Sequence, residues 1–272
     1  GRTFVWYLGN GARESAGHAT LIHDVALLQS LGIKLVLVHA TREAIDAALP
    51  TDRPAQFHDG LRITDDLTLS VAIETAARQR VQLEQQLSMG LPNTPLTGAR
   101  LRILGGNVVT AKPIGIHDGV DYLHSGTVRR VDAEGVRGIL DQNAIALLSP
   151  LGYSPAGEIF SVSASEVAEK VAVAIGADKL IFLDRQPGLH AADGELIRQC
   201  TIDSAWALDI VDAEQQRLRD SACRSCTNGV ARSHLLSYER EGALVAAQQR
   251  VDELLKVVET QEGAHARELA SR

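Results

Sequence analysis

Phe4-Val5-Trp6-Tyr7-Leu8-Gly9-Asn10-Gly11 decides the fold class: an apolar run of strand length ends in a Gly-Asn-Gly turn, and helical spacing follows. Glycines at a strand-to-helix turn let backbone N–H groups approach an anion, and the helix dipole behind them favours negative charge. No lysine stands beside this turn. Phosphoryl transfer depends on positioning and on cations that hold the moving charge, so the turn has the shape of a phosphate site without its chemistry.

Outward from the turn, Leu21, Val25, Leu28 and Leu31 repeat at helical spacing, Gly32 offers a left-handed stop, and Ile33-Lys34-Leu35-Val36-Leu37-Val38 reads as the next strand. Further strand-length runs are Leu101 to Leu104, Val108 to Ala111, Ala144 to Leu148, Leu180 to Leu183 and Ser233 to Ser237. Helical patterns flank several of them, which predicts a mainly parallel sheet covered on both faces, a three-layer αβα architecture. Residues 65–89 read as a long helix with Thr64 as its N-cap, Asp65 and Asp66 complementing its dipole, and Leu67, Val71, Val81 and Leu87 facing the core. Gly105-Gly106-Asn107 reads as a hairpin turn between two short β runs. Ser163-Ala164-Ser165-Glu166 reads as the capping box of a helix through Val167, Val171 and Ile175. Pro187-Gly188 breaks the chain, and a further helix is expected near 203–218. From Glu241 onward, Leu244, Ala247, Val251, Leu254 and Val258 predict one amphipathic helix. The expected division is therefore a domain over 1–240 and a helical tail over 241–272.

With 272 residues, 45% hydrophobic and 4% aromatic, the chain can bury one large aliphatic α/β core. The net charge of -7 and the lack of any Lys/Arg run argue against a nucleic-acid surface, and no apolar span predicts a membrane crossing. Cys200, Cys223 and Cys226 form no disulfide framework, which fits a reducing cytoplasm; the single Cys-x-x-Cys has no second pair to complete a metal site. His117, Asp118, Asp121 and His124 lie close in sequence, but their spacing points side chains apart and no metal is assigned. No Ser/His/Asp elbow, His-Glu-x-x-His or Walker lysine is present. A start at Gly1-Arg2, without Met, leads to the expectation of a segment from something longer.

Four stretches carry a resemblance: Gly60-Leu-Arg-Ile-Thr-Asp65, Pro113 to Tyr122, His124 to Asp132, and Gly229-Val-Ala-Arg-Ser-His-Leu235, with Asn93-Thr-Pro-Leu96 and Ser237 to Leu244 in the same order. Over roughly residues 1–245 the chain resembles the amino acid kinase family, most closely the kinase-like domain of bacterial N-acetylglutamate synthases. The resemblance implies that the kinases' two lysines and organising aspartate fall here at Tyr7, Arg224 and Ser165, so no catalytic residue is expected and phosphoryl transfer is not. It implies a vestigial ligand pocket at Gly9, Asn10, Gly11 and Arg62, where Arg62 either pairs a carboxylate or braces the long helix. His39-Ala40-Thr41-Arg42 takes the place of the kinases' second Gly-rich loop, with Arg42 an exposed charge at a helix entry. His234 matches the family's arginine-pocket histidine or is satisfied within a strand; the pocket's later glutamate and glycine fall at Ala247 and Glu253. The further implications are a regulatory scaffold, L-arginine as small-molecule effector, homo-oligomerisation, no metal, no nucleic acid and no membrane. No cofactor is expected in this chain, acetyl-CoA being used by an acetyltransferase domain outside it. An active acetylglutamate kinase and a non-enzymatic assembly module are the alternatives.

Overall fold

A computed structural model describes residues 1–10, 18–88, 101–184, 189–190, 196–197, 224, 228 and 232–237. In chain order the elements are β1 (Thr3–Leu8), α1 (His18–Ser30), β2 (Lys34–His39), α2 (Arg42–Ala48), β3 (Gln56–His58), β4 (Leu61–Ile63), α3 (Asp66–Ser88), β5 (Ile103–Leu104) and β6 (Val109–Pro113). There follow β7 (Ile116–His117), β8 (Val120–Asp121), β9 (Gly126–Val131), α4 (Ala133–Asp141), β10 (Ile145–Leu148), β11 (Leu151–Tyr153), β12 (Ile159–Ser161) and α5 (Ala164–Ile175). The last are β13 (Lys179–Asp184), β14 (Leu189–His190), β15 (Leu196–Ile197) and β16 (Arg232–Ser237).

The main sheet runs β16-β13-β1-β2-β10-β5, and every pairing in it is parallel. Strand alternation divides its side chains between two cores. Val5, Tyr7, Val36, Val38, Leu180 and Phe182 meet α4 and α5 on one face, while Phe4, Trp6, Leu8, Leu35, Leu37 and Leu183 meet α1 and α3 on the other. That is the expected αβα sandwich. Gly32 ends α1 at φ 77°, with Ile33 N bonded to Leu28 O, as its place after the helix implied.

Three local expectations fail. Asp65, not Thr64, caps α3: its Oδ1 accepts from Thr68 N at 2.8 Å, whereas buried Thr64 turns its hydroxyl to Ser125 Oγ. Val81 is 61% exposed, because α3 buries a narrow stripe of Thr68, Ala72, Ala76, Gln79, Leu83 and Leu87 instead. Gly105-Gly106-Asn107 is a crossing between sheets rather than a hairpin: β5 joins β10 in the main sheet, and β6 joins the second sheet, β12-β11-β6-β9. Antiparallel strands do occupy the middle of the chain, as β6 with β9 and as the ribbons β3–β4 and β7–β8. Pro187-Gly188, the helix near 203–218, the cysteines, Gly11, Ala247, Glu253 and the tail over 241–272 lie outside the described residues.

Candidate functional site

β2 lies on one side of β1 and β13 on the other, and open α/β sheets place ligands outside the carboxyl ends of strands where the order diverges in this way. A cleft of about 520 Å³ opens there, with Tyr7, Arg42, Phe57, Arg62, Lys112 and Ser165 in its wall.

Beside the cleft, Gly9 and Asn10 of the glycine turn are engaged by protein groups. Gly9 N donates to Leu183 O at 2.8 Å, and a Cβ at Gly9 would stand 2.5 Å from Asp184 Oδ1. A carboxylate therefore lies against the glycine where an anion would have to approach. Asn10 is buried, with its amide donating to Ala40 O at 2.9 Å and accepting from Glu43 N at 3.0 Å. It supplies α2 with the cap that the Thr41 side chain does not provide.

The positions matched to the kinases' charged groups are likewise engaged elsewhere. Tyr7 is buried, its ring 5.5 Å from that of Phe182. Ser165 Oγ lies 2.8 Å from Ser163 Oγ, and Ser163 makes no side-chain cap bond. The expected capping box is absent because Glu166 reaches across to β9 instead, accepting from Thr127 Oγ1 and from Val128 N at 3.0 Å. Arg224 Nε donates to Glu169 Oε2 at 3.0 Å. Glu169 is fully buried, one helical turn beyond Ser165, and Lys170 Nζ stands 3.3 Å from its other oxygen. Four residues beyond Ser165, α5 therefore carries a buried carboxylate that binds Arg224.

Arg62 braces α2, not the long helix. Its Nη1 is 2.6 Å from Asp46 Oδ1, and Nη2 donates to Arg42 O at 3.2 Å. Phe57 gathers two cations: the Arg42 and Arg62 guanidinium carbons lie 4.7 and 4.8 Å from its ring centroid. Arg42 is accordingly half-buried in the cleft wall rather than an exposed charge. His234 lies on β16 in register with Ile181.

Around the mouth, Asp59-Gly60 and Asp118-Gly119 turn the β3–β4 and β7–β8 ribbons, with φ of 47° and 69° in the first and 50° and 79° in the second. Tyr122 is buried between them, and its hydroxyl pKa is raised by burial and then by the carboxylates of Asp59 and Asp118. Hydrogen bonds from the Thr68 side chain and backbone, aided by Arg53, lower the Asp65 pKa. Among the described residues, no group of three or more His, Cys, Asp or Glu side chains is placed to hold a metal, and no helix is long and apolar enough to cross a membrane. Asp46, Phe57, Lys112, Tyr122 and Glu169 were not singled out by sequence. The two Asp-Gly pairs were the available signal for the ribbons.

A parallel αβα sheet with a glycine turn at the end of its first strand and ribbons arching over the adjoining cleft defines the class: the chain belongs to the amino acid kinase family, which matches residues 9–236. Within that family it is 45% identical over 247 residues to the amino-acid acetyltransferase of Pseudomonas putida and 46% identical over 246 residues to that of Azotobacter vinelandii. Each match covers 89% of this chain and 57% of the relative, so the chain spans little more than half their length. Among solved structures, N-acetylglutamate synthase from Neisseria gonorrhoeae complexed with coenzyme A and L-arginine aligns with a TM-score of 0.84 at 31% identity, over 90% of this chain and 58% of that one. Carbamate kinase from Giardia lamblia bound to AMP-PNP shares the fold at 13% identity and a TM-score of 0.63, over 92% of this chain and 96% of that one.

Proposed function

We propose that this chain is the kinase-like part of an N-acetylglutamate synthase, which joins acetyl-CoA and L-glutamate to give N-acetyl-L-glutamate in the first step of arginine biosynthesis. In this reading it is a homo-oligomeric scaffold and L-arginine sensor, itself without phosphotransfer, and acetyl-CoA is a substrate of an acetyltransferase domain rather than a cofactor of this part. Its place of action is the cytoplasm. The carrying observation is the set of contacts at and around the end of β1: Tyr7 packed on Phe182, Asp184 against Gly9, and Arg224 held by Glu169. The identity to amino-acid acetyltransferases supports the same assignment.

A coupled ADP-release assay with N-acetylglutamate and Mg-ATP tests the loss of kinase chemistry, and turnover above background would overturn it. Calorimetry with L-arginine tests the sensor role. Saturable binding weakened by His234→Ala supports it, and no heat at millimolar arginine reduces the chain to an assembly module.

A further inference from the structure

Two small ribbons stand over the cleft, and neither has the means to hold itself. β3–β4 pairs three residues with three and β7–β8 two with two, and isolated two-stranded ribbons are marginal in water. From Ile114 to Asp121 no residue is buried, and Ile116 is 69% exposed. The second ribbon therefore gains almost nothing from its own apolar side chains.

What it has is Tyr122, 1% exposed, at its base. That ring meets His117 of the second ribbon edge-on at 6.4 Å and His58 of the first at 6.2 Å. Its hydroxyl lies 3.0 Å from His58 Nδ1 and donates to His58 O at 3.2 Å. With that proton given to the carbonyl, the ring nitrogen donates to the hydroxyl, so one tyrosine closes two hydrogen bonds onto one residue of the other ribbon. The bases are joined as well: His124 N donates to Thr64 O at 2.9 Å, and Ser125 Oγ lies 2.6 Å from Arg62 O. Both ribbons contribute to the cleft wall, through Phe57, Leu61 and Arg62 on one side and His117 on the other.

We infer that β3–β4 and β7–β8 form a single flap over the cleft, fastened through the Tyr122 hydroxyl to His58, so that the two ribbons open together. Tyr122 is a positioning residue in this device. Its ring anchors the second ribbon in the body of the protein, and its hydroxyl transmits that anchorage to the first.

Amide hydrogen exchange on the whole chain tests the coupling, comparing the parent with Tyr122→Phe, which keeps the ring, and His58→Ala, which alters only the first ribbon. Tyr122→Phe should speed exchange about fivefold in 56–63 and in 114–122 alike, the factor expected for one net hydrogen bond, while amides of β1 and β13 stay unchanged. His58→Ala should speed exchange in 114–122, where it makes no substitution. Acceleration confined to the ribbon carrying the change overturns the inference. So does acceleration spread over the whole sheet, which would make Tyr122 an ordinary core residue.

Discussion

Arg224→Ala tests the statement that this arginine is held structurally by Glu169. Glu169 is 0% exposed and Arg224 44%, at 3.0 Å, while Lys170, 43% exposed, lies 3.3 Å from the other oxygen. Removing one partner of a buried pair costs about 3–5 kcal/mol, because the remaining charge is left without compensation. Here Lys170 remains and the lost guanidinium is half in water, so the expected cost is about 2–3 kcal/mol. For a domain of this size that lowers Tm by roughly 5–10 °C. Glu169→Gln keeps the shape, removes the charge and lets Arg224 rehydrate, at about 1 kcal/mol. Arg224→Ala added to Glu169→Gln should then cost only about 0.5 kcal/mol more, giving a coupling energy of about 1.5–2.5 kcal/mol in the cycle. Urea and thermal melts of the four proteins measure it. A loss below about 0.5 kcal/mol for Arg224→Ala, with no coupling, would show the arginine free for other work and refute the reasoning.

Tyr122 sets an alkaline limit. Its pKa is raised above 10.0, so the folded chain holds the proton more tightly than the unfolded one; its contribution is intact below pH 10 and is lost as pH rises through the folded value. Tyr122→Phe should flatten that limb in a pH series of urea melts. Asp65 has the opposite sign, since its pKa is lowered from 3.8. Asp65→Ala should cost about 1 kcal/mol at neutral pH, and its difference from the parent should close as pH falls below 3.8, when the parent's cap is protonated too. Gly152→Ala would place its Cβ 2.4 Å from Ala111 Cβ, where β11 pairs alongside β6, and should destabilise by about 1–3 kcal/mol in the same melts.

Sequence reveals this fold wherever one face of an element decides its structure. β1, β2, β10 and β13 are apolar on alternate faces of a sheet buried on both sides, and each run reads as a strand without reference to its partner. The failures occur where a distant group competes for a local signal. Glu166 has the spacing of a capping-box residue, but Thr127 and Val128 on β9 bind its carboxylate. Thr64 has the chemistry of a cap, but Ser125, 61 positions on, takes its hydroxyl. In the site, residue type singles out Gly9 and Arg62, and the structure puts Arg62 in the cleft wall, paired with Asp46 and with Arg42 O. Glu169 has no such signal. A glutamate inside an amphipathic helix normally faces water, and it is the cations of Arg224 and Lys170 beside it that compensate the burial of this one.

On the proposed reading, the residues around the end of β1 form a pattern beyond the loss of a reaction. Absence of the strand lysine and of the organising carboxylate removes about 10²–10³ each, or about 10⁴–10⁶ together if independent, which corresponds to roughly 5–8 kcal/mol of barrier. Each position that the family resemblance matches to that chemistry has an internal partner. Tyr7 packs against Phe182, Asn10 ties Ala40 to α2, Ser165 meets Ser163, and Arg224 neutralises Glu169. A working phosphate site must keep donors and cations unpaired until its ligand arrives, and that preorganisation is a standing cost in stability. Groups satisfied within the protein, as Gly9 N, Asn10 and Arg224 are, carry no such cost and need no nucleotide to hold their shape. The cleft wall is different. Arg42, Arg62 and Lys112 face a space of about 520 Å³, with Arg62 paired to Asp46 and both arginines over Phe57. On the proposed reading, the groups around the end of β1 serve the fold, and a ligand would meet the arginines of the wall and the ribbons beside it.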